Sequence, residues 1–66
     1  MKLSLVIPVF NDVAGLARLL AQVAALNIAY EVIVVDDGSD NPCRAHFAGN
    51  PVAGARMVWL RTEAGL

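Results

Sequence analysis

Val34-Val35-Asp36-Asp37-Gly38-Ser39-Asp40 decides how this chain is read. An apolar strand ends there in three carboxylates grouped around a glycine. Tyr30 to Val35 suits a sheet covered on both faces. Gly38 can take the positive φ that swings the chain back over the strand tip. Acids held at a strand end make the edge of a binding site, or simply a turn, because Asp, Gly and Ser bend and cap chains widely. Neighbouring strand residues point to opposite faces, so Asp36 and Asp37 are expected to do different jobs.

Upstream, Leu3 to Val9 is a near-continuous apolar, β-branched run that reads as a first strand buried on both faces. Pro8 lacks a donor and is expected where ladder pairing is ending. Asn11 or Asp12 can cap a following helix whose apolar positions Val13, Leu16, Ala17, Leu20, Val23 and Ala24 recur at three- and four-residue steps. Gly15, Arg18 and Gln22 share its wet face. The helix should close near Leu26, with Asn27 in the left-handed conformation. The second strand then spans about Glu31 to Val35. Strand, helix, strand in this order is a right-handed βαβ unit with parallel strands.

Downstream, Asp40-Asn41-Pro42 can start a short, weak helix through Phe47 or Ala48, ended by Gly49-Asn50-Pro51. Met57 to Leu60 reads as a third strand. The expected fold class is α/β, a partial Rossmann-like parallel sheet in the order βαβ(α)β. Three parallel strands need cover on both faces, and the chain offers one good helix and one poor one. Residues 1–66 are therefore expected to be the truncated, amino-terminal piece of a larger α/β domain.

With 66 residues, 58% of them apolar, the chain is too hydrophobic for disorder and too small for more than one packed unit. The single Cys43 makes no internal bridge, so an oligomer or additional carboxyl-terminal sequence is expected to support it. The formal charge is −1, and Lys2, Arg18, Arg44, Arg56 and Arg61 are scattered, which argues against a nucleic-acid partner. The apolar run Leu5 to Phe10 is too short for a transmembrane segment, and no leader is evident. A cytoplasmic location is expected, at the cytoplasmic face of a membrane for the full-length protein.

Parallel strands share a carboxyl-end rim, so Phe10-Asn11-Asp12 should lie beside Asp36-Asp37-Gly38-Ser39, in the crevice where open α/β sheets bind ligands. Neither G-x-G-x-x-G nor G-x-x-x-x-G-K-[ST] follows a strand, so a bare phosphate has no cradle. Carboxylates instead accept hydrogen bonds from a base N–H or a ribose hydroxyl, and can hold a divalent cation bridging to a diphosphate. A nucleotide bound base-first fits such a rim. Helix capping alone would account for Asn11-Asp12, and Phe10 is read as core more readily than as a stacking platform. His46 has no second ligand at metal spacing and reads as solvated. Cys43 reads as a small apolar residue, and Trp59 as core.

Ser4-Leu5-Val6-Ile7-Pro8-Val9-Phe10-Asn11-Asp12, then a helix, then Val32-Ile33-Val34-Val35-Asp36-Asp37-Gly38-Ser39, resembles the opening of the family 2 glycosyltransferases. The family pattern is "S-[VI]-[VI]-[IV]-P-x-[YF]-N-[ED]" followed by "[VI]-x-V-D-D-G-S". The resemblance implies the GT-A fold and a nucleoside-diphosphate-sugar donor, a UDP-sugar by expectation. It implies that Pro8, Phe10, Asn11, Asp12, Asp36, Asp37 and Ser39 line the nucleoside pocket, with one Asp accepting the base N–H. It also implies Mg²⁺ or Mn²⁺ in the full-length enzyme. The family's Asp-x-Asp metal motif and catalytic base have no counterpart in this sequence, so the fragment is expected to be inactive alone.

Two departures stand out. Arg61 to Gly65 resembles the segment after the third strand, where the family shows "N-x-G", but Glu63 occupies the Asn position. Asp40 follows Ser39 directly, where the family usually has one residue between. Two other functions compete with the donor-binding half of an inverting sugar transferase. One is a receiver-like, Mg²⁺-binding signalling domain, which wants acids where Pro8 to Asp12 stand and an Asp after the third strand. The other is an inactive remnant of a larger protein.

Overall fold

Asp12 starts the only α-helix among the described residues, and its position fixes the crossover between the first two strands. The computed structural model describes residues 3–63. The elements are β1 (Leu3–Val9), α1 (Val13–Leu26), β2 (Ala29–Asp37), a 3₁₀ turn (Cys43–His46) and β3 (Arg56–Thr62). The Asp12 side chain accepts a hydrogen bond from the Gly15 N–H at 3.0 Å. At the other end Asn27 is left-handed, with φ 53°, and its N–H donates to the Val23 carbonyl at 3.1 Å. Both ends of α1 therefore have capped backbone groups, as the sequence implied.

The sheet has the order β1-β2-β3 and both pairings are parallel. Ile7, Val34 and Trp59 stand in one cross-strand row, and Val9, Asp36 and Arg61 in another. Ile7, Val9, Val32 and Val34 pack with Leu16, Leu20 and Val23 of α1 and with Cys43, Val52 and Ala55 of the connection to β3. Phe47 and Trp59 extend this core toward β3, with ring centroids 5.5 Å apart.

The expectation that the strands are buried on both faces is corrected. Burial alternates along β1 and β2, and the row Val6–Ile33–Val58 lies on the face that α1 does not cover. Val6 is 63% exposed and Leu60 is 51% exposed. The physical reason is that α1 and residues 43–55 join one core on one side, so odd positions of β1 and even positions of β2 are the buried set.

Smaller differences have local causes. Ala17 and Ala24 are exposed, because a single sheet face contacts only the narrow stripe Leu16, Leu20, Val23. β2 and β3 run further than their apolar cores, to Asp37 and Thr62, because ladder pairing continues through the polar residues. The weak helix expected from Asp40 to Phe47 is one 3₁₀ turn, started after Pro42 with no side-chain cap. Pro8 stays inside β1 opposite Val35, which a strand paired on one side tolerates. Arg61 and Thr62 belong to β3, Glu63 follows it, and the expectation for Gly65 falls outside the described residues.

Candidate functional site

The parallel register brings the tips of β1 and β2 side by side, with Val9 opposite Asp36. Beyond each tip the chain turns through a positive φ: 51° at Asn11 and 77° at Gly38. Asn, like Gly, tolerates this region, and two such turns leave both loops curled over the same rim. The loops are bonded to each other. The Asn11 N–H donates to Ser39 Oγ at 2.8 Å, and the Asp40 N–H donates to Asn11 Oδ1 at 2.9 Å.

Asp36 lies beneath this junction and is 4% exposed. Its Oδ1 accepts from the Ser39 N–H at 2.9 Å, and its Oδ2 accepts from the Cys43 N–H at 2.9 Å. The Arg61 guanidinium also donates to Oδ2, at 3.1 Å. Burial alone would raise the Asp36 pKa, but hydrogen bonds from Ser39 and Cys43 outweigh it and hold the carboxyl well below the usual carboxylate range. It is an ionised anchor for the loop between β2 and the 3₁₀ turn.

Asp37 is turned to the opposite face, as alternation requires. Its Oδ1 accepts from Thr62 Oγ1 at 2.7 Å. Among the described residues no other side chain bonds this carboxylate, so Oδ2 has capacity for another donor. Pro8 is aligned with Val35, two residues before Asp37, and so presents to the same open face. Phe10, just past the end of β1, is 54% exposed and is not a core residue. Core burial was refused because the positive φ at Asn11 turns the chain outward immediately after it.

The seven residues singled out in the sequence thus fall into three settings. Asn11 and Ser39, with Asp40, Asn41, Val13 and His46, line a cavity of about 390 Å³ between the loops. Phe10 and Asp12 line a second cleft of about 290 Å³ beside α1, with Gly15 and Leu19, and Pro8, on the edge strand β1, borders it from the open face. Asp36 and Asp37 are divided by the sheet, one anchoring the loop and one facing the open side. Cys43 is fully buried, 3.7 Å from Ser39 Oγ, and burial pushes its thiol pKa up, which suits an inert packing role. His46 is exposed.

Arg61 and Thr62, the two residues that grip the aspartates from β3, were not among the candidates. The signal for them is the parallel register: once β3 continues past Leu60, residue 61 stands opposite Asp36 and residue 62 opposite Asp37.

Among the described residues no three His, Cys, Asp or Glu side chains converge on a point that could hold a metal ion. Asp36 is committed to Arg61 and two backbone N–H groups, so both of its carboxylate oxygens are already engaged. The receiver-like alternative needs such acids and finds Arg61-Thr62 at the end of β3. Among the described residues no helix is long and apolar enough to cross a membrane.

A family model described as "Glycosyl transferase family 2" matches residues 4–48, more than half of the chain. The matched span contains β1 from its second residue, α1, β2, both rim loops and the 3₁₀ turn. No curated protein and no solved structure matches the chain.

Proposed function

The chain belongs to glycosyl transferase family 2, and we propose that the tips of β1 and β2 form the donor-nucleotide subsite of an inverting sugar transferase. The family's general activity is glycosyl transfer. In the inverting form, an acceptor hydroxyl attacks the anomeric carbon in line. The bond from that carbon to the diphosphate oxygen breaks as the new glycosidic bond forms, and the acceptor proton passes to a base. The described residues supply neither that base nor a metal site, so their part is recognition.

The observation that carries this reading is the unequal employment of the two aspartates. Asp36 has both oxygens filled from within, whereas Asp37 keeps an acceptor position on the face it shares with Pro8. Asp37 then accepts the imide N–H of a uracil base, and the exposed Phe10 ring gives the base an apolar surface. Asn11 and Ser39 hold the two tips together beneath the nucleoside. The donor is a nucleoside-diphosphate sugar, with UDP as the expected carrier.

Calorimetric titration of UDP into the chain and its Asp37→Ala variant tests this. A hydrogen bond to a charged acceptor contributes about 1.5–3 kcal/mol, so the variant should bind roughly ten- to a hundredfold more weakly, measured at a temperature where both proteins are folded. GDP and ADP serve as the base controls. Equal UDP binding by the two proteins would remove Asp37 from the site.

A further inference from the structure

We infer that Arg61 is a positioning residue: it ties the end of β3 to Asp36 and to the Ser39 carbonyl, and thereby sets the rim loop that carries Ser39 against Asn11. This deepens the donor-subsite reading and rests on it for its functional consequence.

Each link is a direct contact. One guanidinium nitrogen, Nη1, donates to Asp36 Oδ2 at 3.1 Å, and the other, Nη2, donates to the Ser39 carbonyl oxygen. Asp36 in turn receives the N–H groups of Ser39 and Cys43. Ser39 Oγ receives the Asn11 N–H, and Asn11 Oδ1 receives the Asp40 N–H, across 29 residues of sequence. The chain of bonds runs β3, β2 tip, rim loop, β1 tip. Only a planar fork reaches a carboxylate oxygen and a carbonyl oxygen together with fixed geometry, which Arg provides and Lys does not. Its side chain is 43% exposed, so its contribution to global stability is modest while its directional effect on the loop is not.

Thr62 performs the matching task on the other face, where its hydroxyl donates to Asp37. Consecutive residues of β3 therefore hold consecutive aspartates of β2 in opposite orientations, one as anchor and one as reader.

The test compares the chain with Arg61→Lys and Arg61→Met by ¹H–¹⁵N spectroscopy and UDP titration. Both variants should keep the amide resonances of Leu20 and Val23 in place, since α1 does not touch the fork. The amides of Ser39, Asp40 and Asn11 should shift in Arg61→Met, and less in Arg61→Lys. UDP should bind about tenfold more weakly to Arg61→Met, the size of a typical indirect coupling. Unmoved Asn11 and Asp40 amides in Arg61→Met would overturn the positioning role. Loss of the folded spectrum in both variants would also overturn it, making Arg61 a residue of global stability. If the unaltered chain does not bind UDP, the donor-subsite reading fails, and the amide shifts still decide the relay.

Discussion

The backbone N–H of Asn11 donates to Ser39 Oγ at 2.8 Å, joining the loop after β1 to the loop after β2. One hydroxyl thus couples two turns that are each held at a positive φ nearby. Ser39 is 1% exposed, so its removal leaves the Asn11 donor without that acceptor in a part-buried setting. Ser39→Ala should lower stability by about 1–2 kcal/mol, measured as a shift in the urea midpoint with an unchanged slope. An unchanged midpoint would show that water replaces the hydroxyl freely.

Asp36 makes stability depend on acid. Its folded pKa lies below the ordinary value of 3.8, so its ionised form stabilises the fold above that value. That contribution is lost as pH falls below 3.8 toward the depressed folded value, and from this group no change arises between neutral pH and about pH 5. Asp36→Asn should be less stable at pH 7 and should lack this share of the acid-induced loss. Urea midpoints measured from pH 7 to pH 2 check both statements.

Gly15 in α1 reverses an ordinary rule. Alanine in place of a helix glycine usually stabilises, by up to about 1 kcal/mol in a helix interior, and Gly15 stands in the first turn. Here a Cβ would sit 2.8 Å from Asp12 Cγ and displace the carboxylate that caps the helix. A lost N-cap costs about 0.5–2 kcal/mol, so Gly15→Ala should be neutral to destabilising. In an Asp12→Ala background the obstruction is gone and the same substitution should stabilise. A double-mutant cycle by thermal denaturation reads the sign change directly.

Much of the architecture was legible because local chemistry and global topology agree. Asp12 and Asn27 mark the ends of α1, and Gly38 marks the turn after β2. The covered and open sheet faces were not legible. Leu3, Val6 and Val9 are all apolar, so the pattern of β1 carries no period of two from which a face can be chosen. The separate duties of Asp36 and Asp37 followed from alternation, but the identity of their partners did not. Arg61 and Thr62 lie past the apolar part of β3, and only the register reveals that they reach the β2 tip. The exposure of Phe10 follows from the positive φ of Asn11, a conformation the sequence permits without requiring it.

The most direct check is to map UDP onto the isotope-labelled chain by amide chemical shifts. A single nucleoside seated across both strand tips should perturb Asn11 together with Asp37, Gly38 and Ser39, leaving Leu20 and Val23 of α1 unmoved. Perturbations confined to one tip, or gathered instead around the cavity of Arg44 and Trp59, would contradict a shared donor subsite.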